Sequence, residues 1–172
     1  AKIFGPLLFG RGWCGYACWT AMVLDFLPYK QPQKPRNEKL GVLRYVMFGL
    51  SFALVSALFL MKVAHLEQIM FWLFLGGNAL YYIAGIAFAY VFKDNRSFCK
   101  YLCPVTVFLK PMSYFSVIRV HCDENKCVHC NKCLKVCPMN VEVNTESRKR
   151  KNGTECILCY ECTKVCPVKA LH

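Results

Sequence analysis

The residues best suited to chemistry here are cysteines. Thirteen occur in 172 residues, an odd count that a closed set of disulfides cannot satisfy. Cys127, Cys130, Cys133 and Cys137 are followed by Pro138, and Cys156, Cys159, Cys162 and Cys166 by Pro167. Each run reads C-x2-C-x2-C-x3-C-P. Three thiolates at that spacing wrap three corners of a cubane, and the fourth ligates the other cluster. The spacing therefore predicts one [4Fe–4S] centre on Cys127, Cys130, Cys133 and Cys166. A second would use Cys156, Cys159, Cys162 and Cys137. Each proline turns the chain away from a helix that would carry the fourth sulfur out of reach. Zinc sites normally use two C-x2–4-C pairs per ion rather than such quartets, and a disulfide framework needs an oxidising compartment.

Four more cysteines form two C-x3-C pairs, Cys14 and Cys18 in GRGWCGYACW and Cys99 and Cys103 in NRSFCKYLCP. On a helix, each pair would share one face. Four converging thiolates would hold a third [4Fe–4S] cluster at the membrane edge, or would share two centres with another chain. Buried, inert thiols are the plain alternative. Cys122 is left over, and is expected to be a packed thiol opening the first strand of the C-terminal domain, with an alternative ligand as the other reading.

These motifs need elements to position them. Hydrophobic residues make up 56% of the chain, yet Lys and Arg outnumber Asp and Glu by 22 to 10, for a net charge of +12. That combination excludes disorder and places the two properties in different parts of the chain. Tyr45 to Met61 and Gln68 to Phe92 are uncharged runs of 17 and 25 residues, near the roughly 20 that a membrane span needs. The expected spans are about 41–63 and 67–92, joined as a tight hairpin at Lys62 to Glu67. Small residues at Gly49, Ala53 and Ala57, and at Gly85 and Ala89, would let backbones approach closely. Gln68 and Asn78 would hydrogen-bond between the helices.

Residues 3–29 read as the end of a membrane segment running into an interfacial or re-entrant helix, with further membrane helices expected upstream. Residues 104–118 would lie along the membrane surface. Lys30, Lys34, Arg36, Lys39 and Arg44 precede the hairpin, and Lys93, Arg96, Lys100 and Lys110 follow it. By the positive-inside rule both ends face the cytoplasm. The domains are then 1–118 in the membrane and 119–172 as a soluble cytoplasmic unit. His65, His121, His129 and His172 all lie outside the spans, so no haem is expected. His65 reads as a solvated turn residue that could meet a quinone or partner. RKRK at 148–151 reads as a solvated loop, with a docking patch for an acidic protein or anionic lipid as the alternative. No nucleic-acid motif accompanies the basic charge.

The segments DENKCVHCNKCLKVCPMNV and NGTECILCYECTKVCPVKAL resemble bacterial two-cluster ferredoxins, which implies an α+β domain of two short hairpins and two short helices. With a C-x3-C motif at each end of a hairpin, the chain also resembles the NapH/NosR group of membrane-bound polyferredoxins. Trp19 stands where that group usually has proline, and no flavin domain is present.

The resemblance implies an electron-transfer subunit, quinol dehydrogenase-like, in a bacterial-type inner membrane. It would link the quinone pool or a membrane partner to a soluble donor or acceptor through three [4Fe–4S] clusters. Its partners would be other subunits of a redox complex, membrane lipid and quinone, with no nucleic acid and no haem or flavin on this chain. The alternative is an electron donor for metal-ion reduction, metal-centre assembly or iron uptake without quinone chemistry. No residue is expected to act as a general acid, base or nucleophile.

Overall fold

A computed structural model describes residues 4–61 and 65–172. Gly10, Ala17 and Pro28 punctuate the apolar N-terminal segment, which forms three short helices, α1 (Phe4–Phe9), α2 (Gly12–Tyr16) and α3 (Trp19–Leu24), in place of the single interfacial helix expected. A polar loop and a 3₁₀ turn at Lys39–Val42 lead into α4 (Leu43–Leu60) and then α5 (Leu66–Phe92). These two helices are long and apolar enough to cross a membrane. At 1.5 Å per residue α5 extends about 40 Å. The tip of the expected hairpin at Lys62–Ala64, and the end of the first expected span at 63, lie outside the described residues.

Most large side chains of α4 and α5 are exposed, Phe52 and Phe74 among them at 64% and 70%. The buried small residues of α5, Gly85 and Ala89, lie at its cluster-side end. A Cβ on Gly85 would meet Leu24 at 3.3 Å and Phe98 at 3.6 Å, whereas one on Gly49 would meet nothing within 4 Å. The small residues of α5 therefore seat α3 and the next helix, α6 (Ser97–Tyr101), instead of forming a seam with Gly49. Asn78 likewise turns back on its own helix, its Nδ2 donating to the Phe74 carbonyl at 2.7 Å.

After α6 come α7 (Thr106–Tyr114), α8 (Lys132–Val136), a 3₁₀ turn at Gly153–Glu155 and α9 (Glu161–Lys164). The two short helices expected after residue 119 are thus present, but the hairpins are not. Among the described residues there is no β-strand, only an isolated antiparallel bridge between Cys122 and Leu171. His121 and His172 exchange backbone hydrogen bonds beside it, at 2.7 and 3.1 Å. Cys122 accordingly opens no strand. Left-handed residues at His129, Asn131, Asn140, Leu158, Tyr160 and Lys169 turn the chain sharply within and just after the cysteine runs. Val120, Met139, Val141 and Val143 form the core of this region with Cys133, Cys137 and Cys162.

One buried carboxylate gathers the distant segments. Glu155 is fully buried. Its Oε1 lies 3.1 Å from Arg36 Nη2, 2.9 Å from Arg44 Nη1 and 3.2 Å from Lys110 Nζ, and its Oε2 pairs with Arg11. Burial and the neighbouring guanidiniums of Arg44, Arg36 and Arg11 pull Lys110 down to about 8. Removing this one anion would leave several buried cations facing each other. Glu155→Gln is expected to cost about 3–5 kcal/mol in chemical or thermal denaturation. The exposed Glu142→Gln should stay within about 0.5 kcal/mol. Equal effects would show that the cage is not what binds the segments.

Candidate functional site

Every cysteine of the first C-x2-C-x2-C-x3-C-P run has its counterpart 29 residues on, and the backbone repeats with it. His129 pairs with Leu158, Asn131 with Tyr160 and Asn140 with Lys169, all six in the left-handed region. Such φ values are uncommon outside glycine and cluster where a site demands a tight turn. Here they coil each run so that its first three cysteines face a common centre.

Two small cavities result. One is lined by Cys127, Cys130, Cys133 and Cys166, with Cys122 also on its wall. The other is lined by Cys137, Cys156, Cys159 and Cys162. Each therefore combines the first three cysteines of one run with the fourth of the other. The fourth cysteines are held alike: the Val141 N–H donates to Cys137 Sγ at 3.4 Å, and the Ala170 N–H to Cys166 Sγ at 3.3 Å. The backbone N–H dipoles of Leu134, Leu158 and Glu161 favour the ionised sulfurs of Cys133, Cys156 and Cys159. Among the described residues, no three His, Cys, Asp or Glu side chains converge on one metal ion.

Burial pushes the Cys133, Cys156 and Cys159 thiols up, and Cys162 up to about 12. Cys122 rises to about 11, by burial first and then by the adjacent Cys127. These thiols keep their protons until a metal displaces them. Four soft donors around each cavity, with N–H groups already aimed at the sulfurs, fit an iron–sulfur cluster.

The membrane-edge pairs differ from expectation. Neither C-x3-C pair lies on one helix. Cys14 is in α2, while Cys18 caps α3 in extended conformation. Cys99 is in α6, while Cys103 lies beyond its end. Both motifs read R-x-x-C-x-Y-x-C, a repeat visible in the sequence and here expressed as a reciprocal clasp. Arg11 Nη2 donates to the Cys99 carbonyl at 3.4 Å, and Arg96 Nη1 to the Cys14 carbonyl at 3.1 Å. Burial raises Cys99 to about 12, with the nearby Cys103 and Cys14 adding to the rise. Burial also raises Cys103, and Cys14 again contributes. Cys14, Cys99 and Cys103 thus lie within electrostatic reach of one another, while half-buried Cys18 enters none of these interactions.

This clasp rests on the second run. Cys14 packs against the cysteine-rich core, and Tyr16 Oη donates to the Leu158 carbonyl at 2.8 Å. At Gly15 the backbones nearly touch, since an added Cβ would lie 2.6 Å from the Ile157 carbonyl oxygen. On the other side Lys100, fully buried, bridges Asp94 and Asn140. Burial lowers its pKa; Asp94, and more weakly Cys137, oppose the shift. Arg150 is also buried; burial lowers its pKa, and the thiols of Cys156, Cys162, Cys122 and Cys133 oppose that shift. In the run at 148–151, expected to be a solvated loop, the other three side chains are exposed and Arg150 turns inward. Glu155, Lys100 and Arg150 were not legible as site residues, because nothing in their local spacing distinguishes them from surface charge.

The 4Fe–4S dicluster domain family matches residues 119–167. The 4Fe–4S binding domain family matches residues 2–35 and 75–121. Two uncharacterized proteins of Methanocaldococcus jannaschii are similar. One is 29% identical over 136 residues, covering 78% of this chain and 54% of its own length. The other is 31% identical over 149 residues, covering 80% and 62%. The methylamine utilization ferredoxin-type protein MauN of Paracoccus denitrificans is 26% identical over 144 residues, covering 79% and 51%. The chain thus spans between about half and three-fifths of the length of these relatives. No solved structure matches.

Two tests follow from this geometry. Gly15→Ala should cost about 1–3 kcal/mol by overpacking, while Gly76→Ala, with open space around it, should cost nothing; equal stabilities would refute the close seat. The cluster-free chain should lose stability as pH rises from about 9 toward about 12. The folded state there retains protons on Cys99 and Cys162 that the unfolded state has released. Melting temperatures that stayed flat across that window would contradict this.

Proposed function

Starting from a 4Fe–4S electron-transfer protein of the ferredoxin type, we propose a membrane-bound subunit that carries electrons between the quinone pool or a membrane partner and a soluble redox protein. The ferredoxin-type domain is residues 119–172, and residues 1–118 form the membrane part. In this reading Cys127, Cys130, Cys133 and Cys166 hold one [4Fe–4S] cluster, and Cys156, Cys159, Cys162 and Cys137 a second. Cys14, Cys18, Cys99 and Cys103 hold a third. When bound, the clusters supply one-electron redox chemistry, and the protein tunes it through ligation, hydrogen bonding and burial.

The observation that carries this reading is the seat of Cys14 on the loop of Cys156 to Cys159. Gly15 and Tyr16 lock the two together. The second quartet therefore stands between the membrane-edge cysteines and the first quartet. At the far end Cys130 and Val128 are exposed, Val128 by 60%, which leaves a face for a soluble partner. Lys100 and Arg150 supply buried positive charge beside the sulfurs, opposing the negative charge that metal-bound thiolates bring.

The exposed apolar surface of α4 and α5 suits lipid better than water. Lys30, Lys34, Lys39 and Lys93 are exposed at the end from which both helices project, favouring a cytoplasmic position for that end.

Iron analysis and low-temperature EPR of the reduced protein provide the test. About twelve irons per chain are expected for three clusters. Cys14→Ser with Cys103→Ser should remove about four and leave the ferredoxin-type signals in place. A wild-type count of about eight would sink the membrane-edge centre. Reduction of the intact protein by a quinol analogue would support the quinone assignment. Inertness to quinols with ready oxidation by ferric or cupric ions would replace it with metal-ion reduction.

A further inference from the structure

Where α1 and α7 meet the segment 147–158 there is a cavity of about 310 Å³, within the range of small-molecule sites. Four cations, Lys110, Arg119, Arg148 and Arg150, line it together with Ser113 and Ser116, and no carboxylate does. Among the described residues none of the three arginines is ion-paired. Glu146 accepts the backbone N–H of Arg148 but is not on the wall. Lys110 shares its carboxylate, Glu155, with Arg11, Arg36 and Arg44. The wall therefore carries positive charge that the protein does not neutralise.

Arg150 gives the second observation. It is 7% exposed. Its Nε donates to the Thr145 carbonyl at 3.0 Å, but its Nη2 is buried without a partner. A buried guanidinium N–H with no acceptor is costly, so an acceptor from outside the chain would complete it. The backbone keeps the space open. Gly10 lies on the wall at φ +54°, and a Cβ there would come within 2.9 Å of Ser113 Oγ and 3.2 Å of Ser116 Oγ. Arg119 is held by its Nε donating to the Ser116 carbonyl at 2.8 Å.

We propose that this cavity binds a phosphate group, and that an anionic phospholipid supplies it. Guanidiniums and hydroxyls are the donors that phosphate oxygens accept best. The rim argues for the lipid source. Phe9 and Tyr114 on the wall are each 49% exposed, and Phe115 and Val117 continue the apolar rim at 66% and 72%. Because α7 packs against α4, the cationic cup sits at the root of a long apolar helix, where a headgroup with its acyl chains would lie.

Native mass spectrometry of the intact, cluster-loaded protein in neutral detergent, with phosphatidylglycerol or phosphatidylcholine added, tests this directly. Phosphatidylglycerol should be retained about tenfold over phosphatidylcholine, as loss of a charge-assisted hydrogen bond implies. Arg148→Gln, on an exposed side chain, should lower that retention about tenfold at unchanged iron content, and Arg150→Lys should lower it in part. Saturable line broadening of inorganic phosphate in 31P NMR, abolished by Arg148→Gln, would keep the phosphate site. If phosphatidylglycerol also showed no preference, its source would be free phosphate. Equal retention of the two lipids with no phosphate binding would overturn the site. So would an Arg148→Gln protein that kept normal iron, lipid preference and phosphate binding.

Discussion

A single buried carboxylate holds this protein in register. Glu155 draws Arg11 from the N-terminal segment, Arg36 from the polar loop, Arg44 from the first turn of α4 and Lys110 from α7. Each of those cations would be expensive to bury alone, so the carboxylate makes their burial mutually dependent. Glu155 also immediately precedes Cys156. The residue that gathers the long helices is thereby joined, through one peptide bond, to the first thiol of the second quartet.

That linkage explains why the contacts around it are so close. With Cys156 pinned, the Ile157–Leu158 turn has to fit against α2, and Gly12 and Gly15 leave the room for it. The Arg11–Cys99 and Arg96–Cys14 bonds then clasp the two R-x-x-C-x-Y-x-C segments. Lys100 closes the opposite side by reaching Asn140. Polar contacts, rather than a broad apolar interface, join the helical part to the cysteine-rich part. Geometry around the sulfurs is thus set by directional bonds, which tolerate less slippage than packed methyl groups.

The charge of the chain looks different in this light. Arg36, Arg44 and Lys100 counted toward membrane sidedness in the sequence, yet the fold uses all three internally. The sidedness argument then rests on the lysines that remain exposed. Arg150, one of four basic residues in a row, is separated from its neighbours only by the direction in which the backbone turns it.

Local spacing pointed to the two cysteine quartets, the grouping of each fourth cysteine with the first three of the other run, and the two long apolar helices. These follow from periodicity and from ligand reach over a few residues, which sequence order reports directly. The same spacing misread the C-x3-C pairs as helical faces, because helix ends at Tyr16 and Tyr101 intervene. The ferredoxin resemblance implied hairpins, of which only the Cys122–Leu171 bridge forms among the described residues. The partnership of Glu155 with four remote cations was decided only by the tertiary structure. So were the seat of Cys14 on the second run and the unpaired Arg150 in its cationic cavity. Each depends on which distant segments share a desolvated volume, and a charge carries no local mark of whether it will be buried or with whom.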